Sequence, residues 1–187
     1  MLRIPGIADL CVAIDFHNYE PVPRIGPRSV NQMPVTLTAL GALVRQAKYE
    51  NDAGALATLV VNIVNAAEKL RPFHCVHYVP HSNPARNMTQ VFADAITRKF
   101  FLPPSEPAYD ASCFPHFSKS MDARNIENLV RCSGILNTTE RAGLSSLIID
   151  DTLRSGATLF LAASAVRRRY GYAETKALCI TKVRTTV

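Results

Sequence analysis

Between residues 143 and 183 the pattern of apolar residues changes twice, and this limits the possible folds more than any other feature of the chain. GLSSLIID, residues 143–150, is short and ends in a continuous apolar run, as a strand buried on both faces does. ATLFLAASAVRRRY, residues 157–170, has the composition of a helix, and Gly171 suits the left-handed residue that ends one. KALCITKV, residues 176–183, returns to buried-strand character. A strand, a helix and a strand in that order predict parallel pairing, because parallel neighbours need a long crossover that is usually helical.

The same alternation extends upstream. Leu37, Leu40, Leu43 and Val44, then Leu56, Leu59, Val60, Ile63, Val64 and Ala67, recur at three- and four-residue spacing and predict two amphipathic helices within residues 33–70. KYENDAG breaks them, with Asp52 placed to cap the second. FHCVHYVP, residues 73–80, reads as a strand stopped by Pro80, and a further helix is expected from Asn83 to about residue 99 with Val91, Phe92, Ala95 and Ile96 inward. Residues 102–120 hold four prolines and almost no periodicity, so they predict a long flexible loop, either disordered or serving as a flap over a site. A capped helix over residues 122–130 would follow. The expectation is an α/β protein with a central, mostly parallel sheet flanked by helices, in a single domain of 187 residues.

Composition removes several function classes. No apolar run approaches the roughly 20 residues that span a bilayer, and MLRIPGIADL lacks the pattern of an export signal, so a soluble cytoplasmic protein without a membrane partner is expected. Cys11, Cys75, Cys113, Cys132 and Cys179 are scattered, which disfavours a zinc ribbon or a disulfide framework. The net charge of +6 suits phosphorylated metabolites or nucleic acid as partners. Exposed apolar positions on the helices of residues 33–70 could bury against a second copy, giving a homodimer.

LIIDDTLRSGATL, residues 147–159, carries the chemistry. In open parallel sheets ligands bind beyond the carboxyl ends of strands, where Asp150 and Asp151 are expected. The following turn offers the hydroxyls of Thr152, Ser155 and Thr158 and a close-approach glycine, Gly156, at a helix start, a combination that suits a phosphate. Carboxylates accept hydrogen bonds from a sugar diol and favour Mg²⁺. Phosphate, diol and metal together describe a phosphorylated ribose. A Walker loop is excluded by the missing Gly-Lys-Ser/Thr, and a dinucleotide fingerprint by the missing glycines.

LIIDDTLRSGATL resembles the phosphoribosyl-pyrophosphate signature of type I phosphoribosyltransferases: an apolar strand, two acids, a short turn and a Ser/Thr-Gly-x-Thr ending. LVRQAKYENDAGALATLV, VHYVP, ARNMTQVFADAI and DARNIENLV resemble, in order, further segments of the ComF-like members, which are associated with competence. The resemblance runs from about Gly41 to Gly171. It implies a type I phosphoribosyltransferase-like fold with a helical amino-terminal hood in residues 1–70 and a core in residues 71–187. It implies a transferase that binds phosphoribosyl pyrophosphate, or a ribose-phosphate nucleotide, with Mg²⁺, and displaces pyrophosphate with a nitrogen nucleophile. Asp150 and Asp151 would be the catalytic acids, holding the ribose hydroxyls and any metal that comes with the substrate. Thr152, Leu153, Arg154, Ser155, Gly156, Ala157 and Thr158 would cradle the 5′-phosphate. Pro80, His81, Ser82, Asn83, Arg86 and Lys119 would border the pyrophosphate, with residues 102–120 closing over the site.

Departures from the family pattern are also plain. Asn87-Met88-Thr89 stands where the family has Gly-Phe-Asn, Arg154 occupies a turn position usually small or hydroxylated, and the family's cysteine-rich metal module has no counterpart in these residues. A non-catalytic nucleotide-sensing or DNA-uptake module is the alternative, supported by the basic charge. Arg167, Arg168 and Arg169 either complement a helix end or contact nucleic acid. Lys48 and Tyr49 either end a helix or join the hood. His74, His77 and His81 are expected to be packed or solvated, because no carboxylate stands nearby to complete a metal site.

Overall fold

A computed structural model describes residues 1–4, 6–20, 36–81, 87–110, 141 and 143–184. The protein is α/β, and the described residues form a mixed six-stranded sheet and four helices. In chain order these are β1 (Leu2–Arg3), β2 (Leu10–Phe16), α1 (Ala39–Tyr49), α2 (Ala53–Glu68), β3 (Cys75–Tyr78), α3 (Met88–Phe100), β4 (Glu106–Pro107), β5 (Ser145–Leu153), α4 (Ala157–Tyr170) and β6 (Glu174–Lys182). The strands lie in the order β1-β2-β6-β5-β3-β4, and among these strand pairs of the described residues β1–β2 is antiparallel and the rest are parallel.

The two faces of the sheet carry separate cores because strand side chains alternate. On one face Leu147 and Ile149 of β5 and Leu178 and Ile180 of β6 pack against Leu59 and Ile63 of α2 and Phe92 and Ile96 of α3. On the other, Ile148 and Ala177 pack against Leu159, Ala162 and Val166 of α4. Each fully buried Leu or Ile contributes roughly 1.5–3 kcal/mol, so the central strands β5 and β6, buried along nearly their whole length, anchor the fold.

Local signals explain the helix boundaries. Thr38 Oγ1 accepts from Gly41 N to start α1, and Asp52 accepts from Gly54 N and Ala55 N to start α2, as its position in KYENDAG predicts. α4 runs over residues 157–170 and ends at Gly171, whose φ of 66° is the left-handed conformation expected there. Lys176 is buried within the sheet, where its ammonium donates to the carbonyls of Leu70 (3.0 Å) and Pro72 (2.8 Å) and so ties the end of α2 to β6.

Several expectations are revised. The amino-terminal region contributes two strands as well as helices, with β2 paired to the last strand, β6. Part of the proline-rich loop is ordered: Glu106 and Pro107 form β4 alongside β3, and Ala108 and Tyr109 are buried. Residues 111–120 and the helix expected over residues 122–130 lie outside the described residues. α3 begins at Met88 rather than Asn83, and residues 82–86 are not described. β5 continues three residues past the expected end at Asp150, because β6 extends beside it to pair Thr152 with Thr181 and Leu153 with Lys182. Among the described residues no helix is long and apolar enough to cross a membrane.

Candidate functional site

β3 and β5 are adjacent and parallel, yet α3 follows β3 on one face while α4 follows β5 on the other. Where consecutive connections leave a sheet on opposite sides, their divergence opens a crevice beyond the carboxyl ends of the strands. Val79 N donates to the Ile149 carbonyl (3.0 Å), and Thr89 Oγ1 donates to the Val79 carbonyl (2.6 Å), fixing the end of β3 against β5 and the start of α3. Pro80 is buried at this edge and His81 is half-buried. The segment after β3 and the segment of residues 150–158 therefore share one edge of the sheet. Ser82, Asn83, Arg86 and Lys119 lie outside the described residues.

The acidic step does not form a single clamp. As neighbours inside a strand, Asp150 and Asp151 direct their side chains to opposite faces. Asp151 faces α1, where Lys48 Nζ donates to its Oδ2 in an ion pair largely withdrawn from solvent. Burial opposes the charge on Lys48, but Asp151 outweighs it and holds the ammonium above its ordinary pKa. Asp150 lies on the α4 face beside Cys11, Cys179 and Tyr109. Its Oδ1 accepts from Asp151 N (2.8 Å), but burial and the neighbouring Asp151 charge raise its pKa to about 7. Asp151 is thus paired with Lys48, while Asp150 is buried on the opposite face with its pKa raised to about 7.

Thr152 shares the face of Asp150, and its hydroxyl lies 3.4 Å from that of Thr181. His17, just past β2, completes this row: its Nδ1 lies 3.1 Å from Thr181 Oγ1. Burial lowers the His17 pKa, and the Lys48 charge adds to that against the pull of Asp151. α1 can approach His17 because position 41 is glycine; a Cβ there would lie 2.0 Å from the His17 carbonyl oxygen.

The turn behind the acids is open. Arg154 and Ser155 are exposed, Thr158 is half-buried, and Leu153, Gly156 and Ala157 are buried. Gly156 has a φ of 83°, which strains any other residue, and a Cβ on it would meet Ile7 Cδ1 at 2.5 Å, so that side chain would have to shift. Ser155 Oγ accepts from Ala157 N (3.4 Å) at the start of α4. The turn thus joins the end of β5 to the start of α4, with the Thr152 hydroxyl against Thr181, Ser155 Oγ on Ala157 N and Arg154 in solvent.

The described residues build no metal cage: no group of three or more His, Cys, Asp or Glu side chains is placed to hold an ion. Mg²⁺ commonly binds through one or two carboxylates together with substrate phosphates. Among the described residues at this edge Asp151, paired with Lys48 through Oδ2, is the carboxylate that could take that role.

The three histidines do not converge. His74 Nδ1 accepts from Ser145 N (3.1 Å), whereas His77 is fully buried with Nε2 3.0 Å from Tyr172 Oη. Arg141 donates to Tyr172 Oη (2.7 Å) and pairs with Glu106 (2.8 Å), which also accepts from Tyr170 Oη (2.5 Å). This network ties β3, β4 and the end of α4 together. Of the basic run at the end of α4, Arg167 pairs with Asp9 (2.5 Å) and Arg169 lies over the Tyr170 ring (5.0 Å).

The sequence leaves Lys48 as either a helix end or part of the hood and does not single out His17; the fold places both near Asp151. Lys48 is 103 positions from its acid, and nothing local marks the pairing. No protein-family model matches the chain, and neither a curated protein nor a solved structure matches it.

Proposed function

We propose that the chain binds phosphoribosyl pyrophosphate, or a ribose-phosphate nucleotide, in the crevice between β3 and β5 and transfers the phosphoribosyl group to a nitrogenous acceptor. In that reaction the bond from the anomeric carbon to the acceptor nitrogen forms as the bond to pyrophosphate breaks, and the acceptor's N–H proton passes to solvent. The observation that carries this reading is the continuity of β5, turn and α4 at a topological switch point: an acid paired with Lys48, a hydroxyl-bearing turn and a helix start follow one another on the crevice edge. The resemblance of LIIDDTLRSGATL to the phosphoribosyl-pyrophosphate signature supports the same ligand.

Because the acids face opposite ways, their roles separate. Asp151 accepts from the ribose hydroxyls and shares Lys48 with the diphosphate; a Mg²⁺ held by the diphosphate with Asp151 nearby would supply neutralising charge to the leaving group. Asp150 supports the strand from beneath and holds the Asp151 amide. The helix start contributes only about 0.3–2 kcal/mol toward an anion, and micromolar affinity needs about 8 kcal/mol, so the hydroxyl and diphosphate contacts supply the remainder.

Calorimetry with phosphoribosyl pyrophosphate, with and without Mg²⁺, tests this. Micromolar, Mg²⁺-dependent binding that weakens at least tenfold in Asp151→Asn is expected, together with pyrophosphate release over a panel of nitrogen heterocycles. Absence of binding, or an Asp151→Asn variant that binds like the parent, refutes it.

A further inference from the structure

α2 leads into β3, and α3 carries the chain from the carboxyl end of β3 back to the start of the parallel β4, so both helices end at the amino edge of the sheet, away from the crevice. There the chain leaves α3 as FLPP, residues 101–104, and turns apolar groups outward. Phe101 is 96% exposed, Pro103 and Pro104 are exposed, and Leu102 is half-buried. Phe101 also ends α3 in the left-handed conformation, with a φ of 54° and its N–H on the Thr97 carbonyl. Glycine or asparagine is the usual residue at such a helix end, and a bulky side chain there is an outlier. The preceding ring behaves oppositely: Phe100 packs edge-on against Phe73 at 5.8 Å. Packing accounts for Phe100 and does not account for Phe101.

Cations surround this tip. Arg98 and Lys99 from the last turn of α3, and Lys69 and Arg71 from the end of α2, are all exposed. The Arg71 guanidinium lies over Phe100, 5.2 Å from the ring centroid, which joins the two helix ends into one surface. Among the described acids of these helix ends, Glu68 is exposed and Asp94 accepts from Ser105 Oγ. Basic residues at helix ends complement the dipole, but that role requires no bare phenyl ring beside them.

We infer that this tip is a docking surface for a membrane rich in anionic lipid, with Phe101 as the inserting residue. A projecting apolar group enters the headgroup boundary, while lysine and arginine stems lie along it and carry their charges to the lipid phosphates. A single nucleic-acid strand instead follows a groove with successive stacking platforms, and this tip offers one free ring and two prolines. The missing spanning helix concerns a different kind of membrane contact. Each Lys or Arg near an anionic bilayer favours partitioning about fivefold, and burial of the phenyl ring at least about tenfold. The inference is independent of the ribose-phosphate reading, since it uses no residue of the crevice.

The chain contains no tryptophan, so Phe101→Trp places a single indole reporter at the tip. This variant is mixed with vesicles of phosphatidylcholine, alone or with phosphatidylglycerol, at low and high salt. A blue-shifted emission that brominated acyl chains quench is expected on the anionic vesicles at low salt, and neither effect on phosphatidylcholine alone. Sedimentation of the full chain with the same vesicles compares binding strengths. Phe101→Gly removes the ring and suits the left-handed backbone, so it should keep or raise the melting temperature while weakening binding about tenfold. Arg98→Ala with Lys99→Ala should weaken it about twenty-five-fold. The inference is overturned if anionic vesicles do not retain the parent, if the emission of Phe101→Trp does not change on them, or if Phe101→Gly binds like the parent. Phe101-dependent retention of a single-stranded oligonucleotide, with no vesicle binding, also overturns it and assigns the surface to nucleic acid.

Discussion

Replacing Asp150 by asparagine should make the protein more stable at alkaline pH while leaving it little changed in mild acid. Burial and the Asp151 charge raise the Asp150 pKa from 3.8 to about 7, so across that interval the folded chain holds a proton that the unfolded chain has lost. The stability associated with this proton is complete below the unfolded pKa and disappears as pH rises through the folded one. A displacement of about three pH units at about 1.4 kcal/mol each gives about 4 kcal/mol in total, of which about 3 kcal/mol falls between about pH 5 and about pH 8. Asparagine keeps the acceptor for Asp151 N and has no charge to lose. Urea denaturation of both proteins across this range is the assay, and the quantity of interest is the difference between them, in which the contributions of other titrating groups cancel. An advantage for Asp150→Asn that grows by about 3 kcal/mol with pH is expected. Parallel curves would show that Asp150 is solvated and ionised in the native state, and the placement of its side chain under the sheet edge would be wrong.

Three further perturbations have defined outcomes. Lys48→Met breaks a largely buried ion pair and should cost about 2 kcal/mol, between the values for exposed and fully buried pairs; since Lys48 also lowers the Asp150 pKa, the pH window of the preceding experiment should move upward. Gly156→Ala forces a β-carbon into a φ of 83° and onto Ile7, and thermal denaturation should show a loss of about 1–3 kcal/mol that Ile7→Ala relieves only in part, because the backbone strain remains. His77 is buried with its pKa lowered from 6.5 to about 4, so its contribution to stability is present above 6.5 and is lost as pH falls toward 4; His77→Gln should flatten that arm by about 3 kcal/mol in acid-range urea titrations.

The β5–turn–α4–β6 unit was legible because its signals are local: a continuous apolar run, a glycine-bearing turn, a helical stretch and a terminal glycine each act within a few residues. The cap at Asp52 was legible for the same reason. β2 was not. LCVAIDF buries Val12 on one face and Cys11 and Ala13 on the other, so it lacks alternation, and its partner β6 lies at the far end of the chain. β4 is two residues long and contains a proline, and only its pairing to β3 defines it. The site was legible in composition and only partly in geometry. The turn lies at the predicted edge, but the end of β5 depends on how far β6 runs beside it, and that length decides that the two acids diverge. Lys48 and His17 reach the site through tertiary packing alone, which no spacing in the sequence encodes.

The sheet's outermost members, β1 and β4, are each only two residues long. Nine-residue β5 and β6, whose apolar content makes them the segments most able to template fibrils, are both interior and hydrogen-bonded on either side. A stray strand from another chain meets a truncated rung at each flank, one of them carrying Pro107, whose ring nitrogen has no hydrogen to share. Among the described residues, self-association through ladder extension is thereby discouraged, and concentrated stocks should remain free of thioflavin-positive aggregates as long as the native state persists.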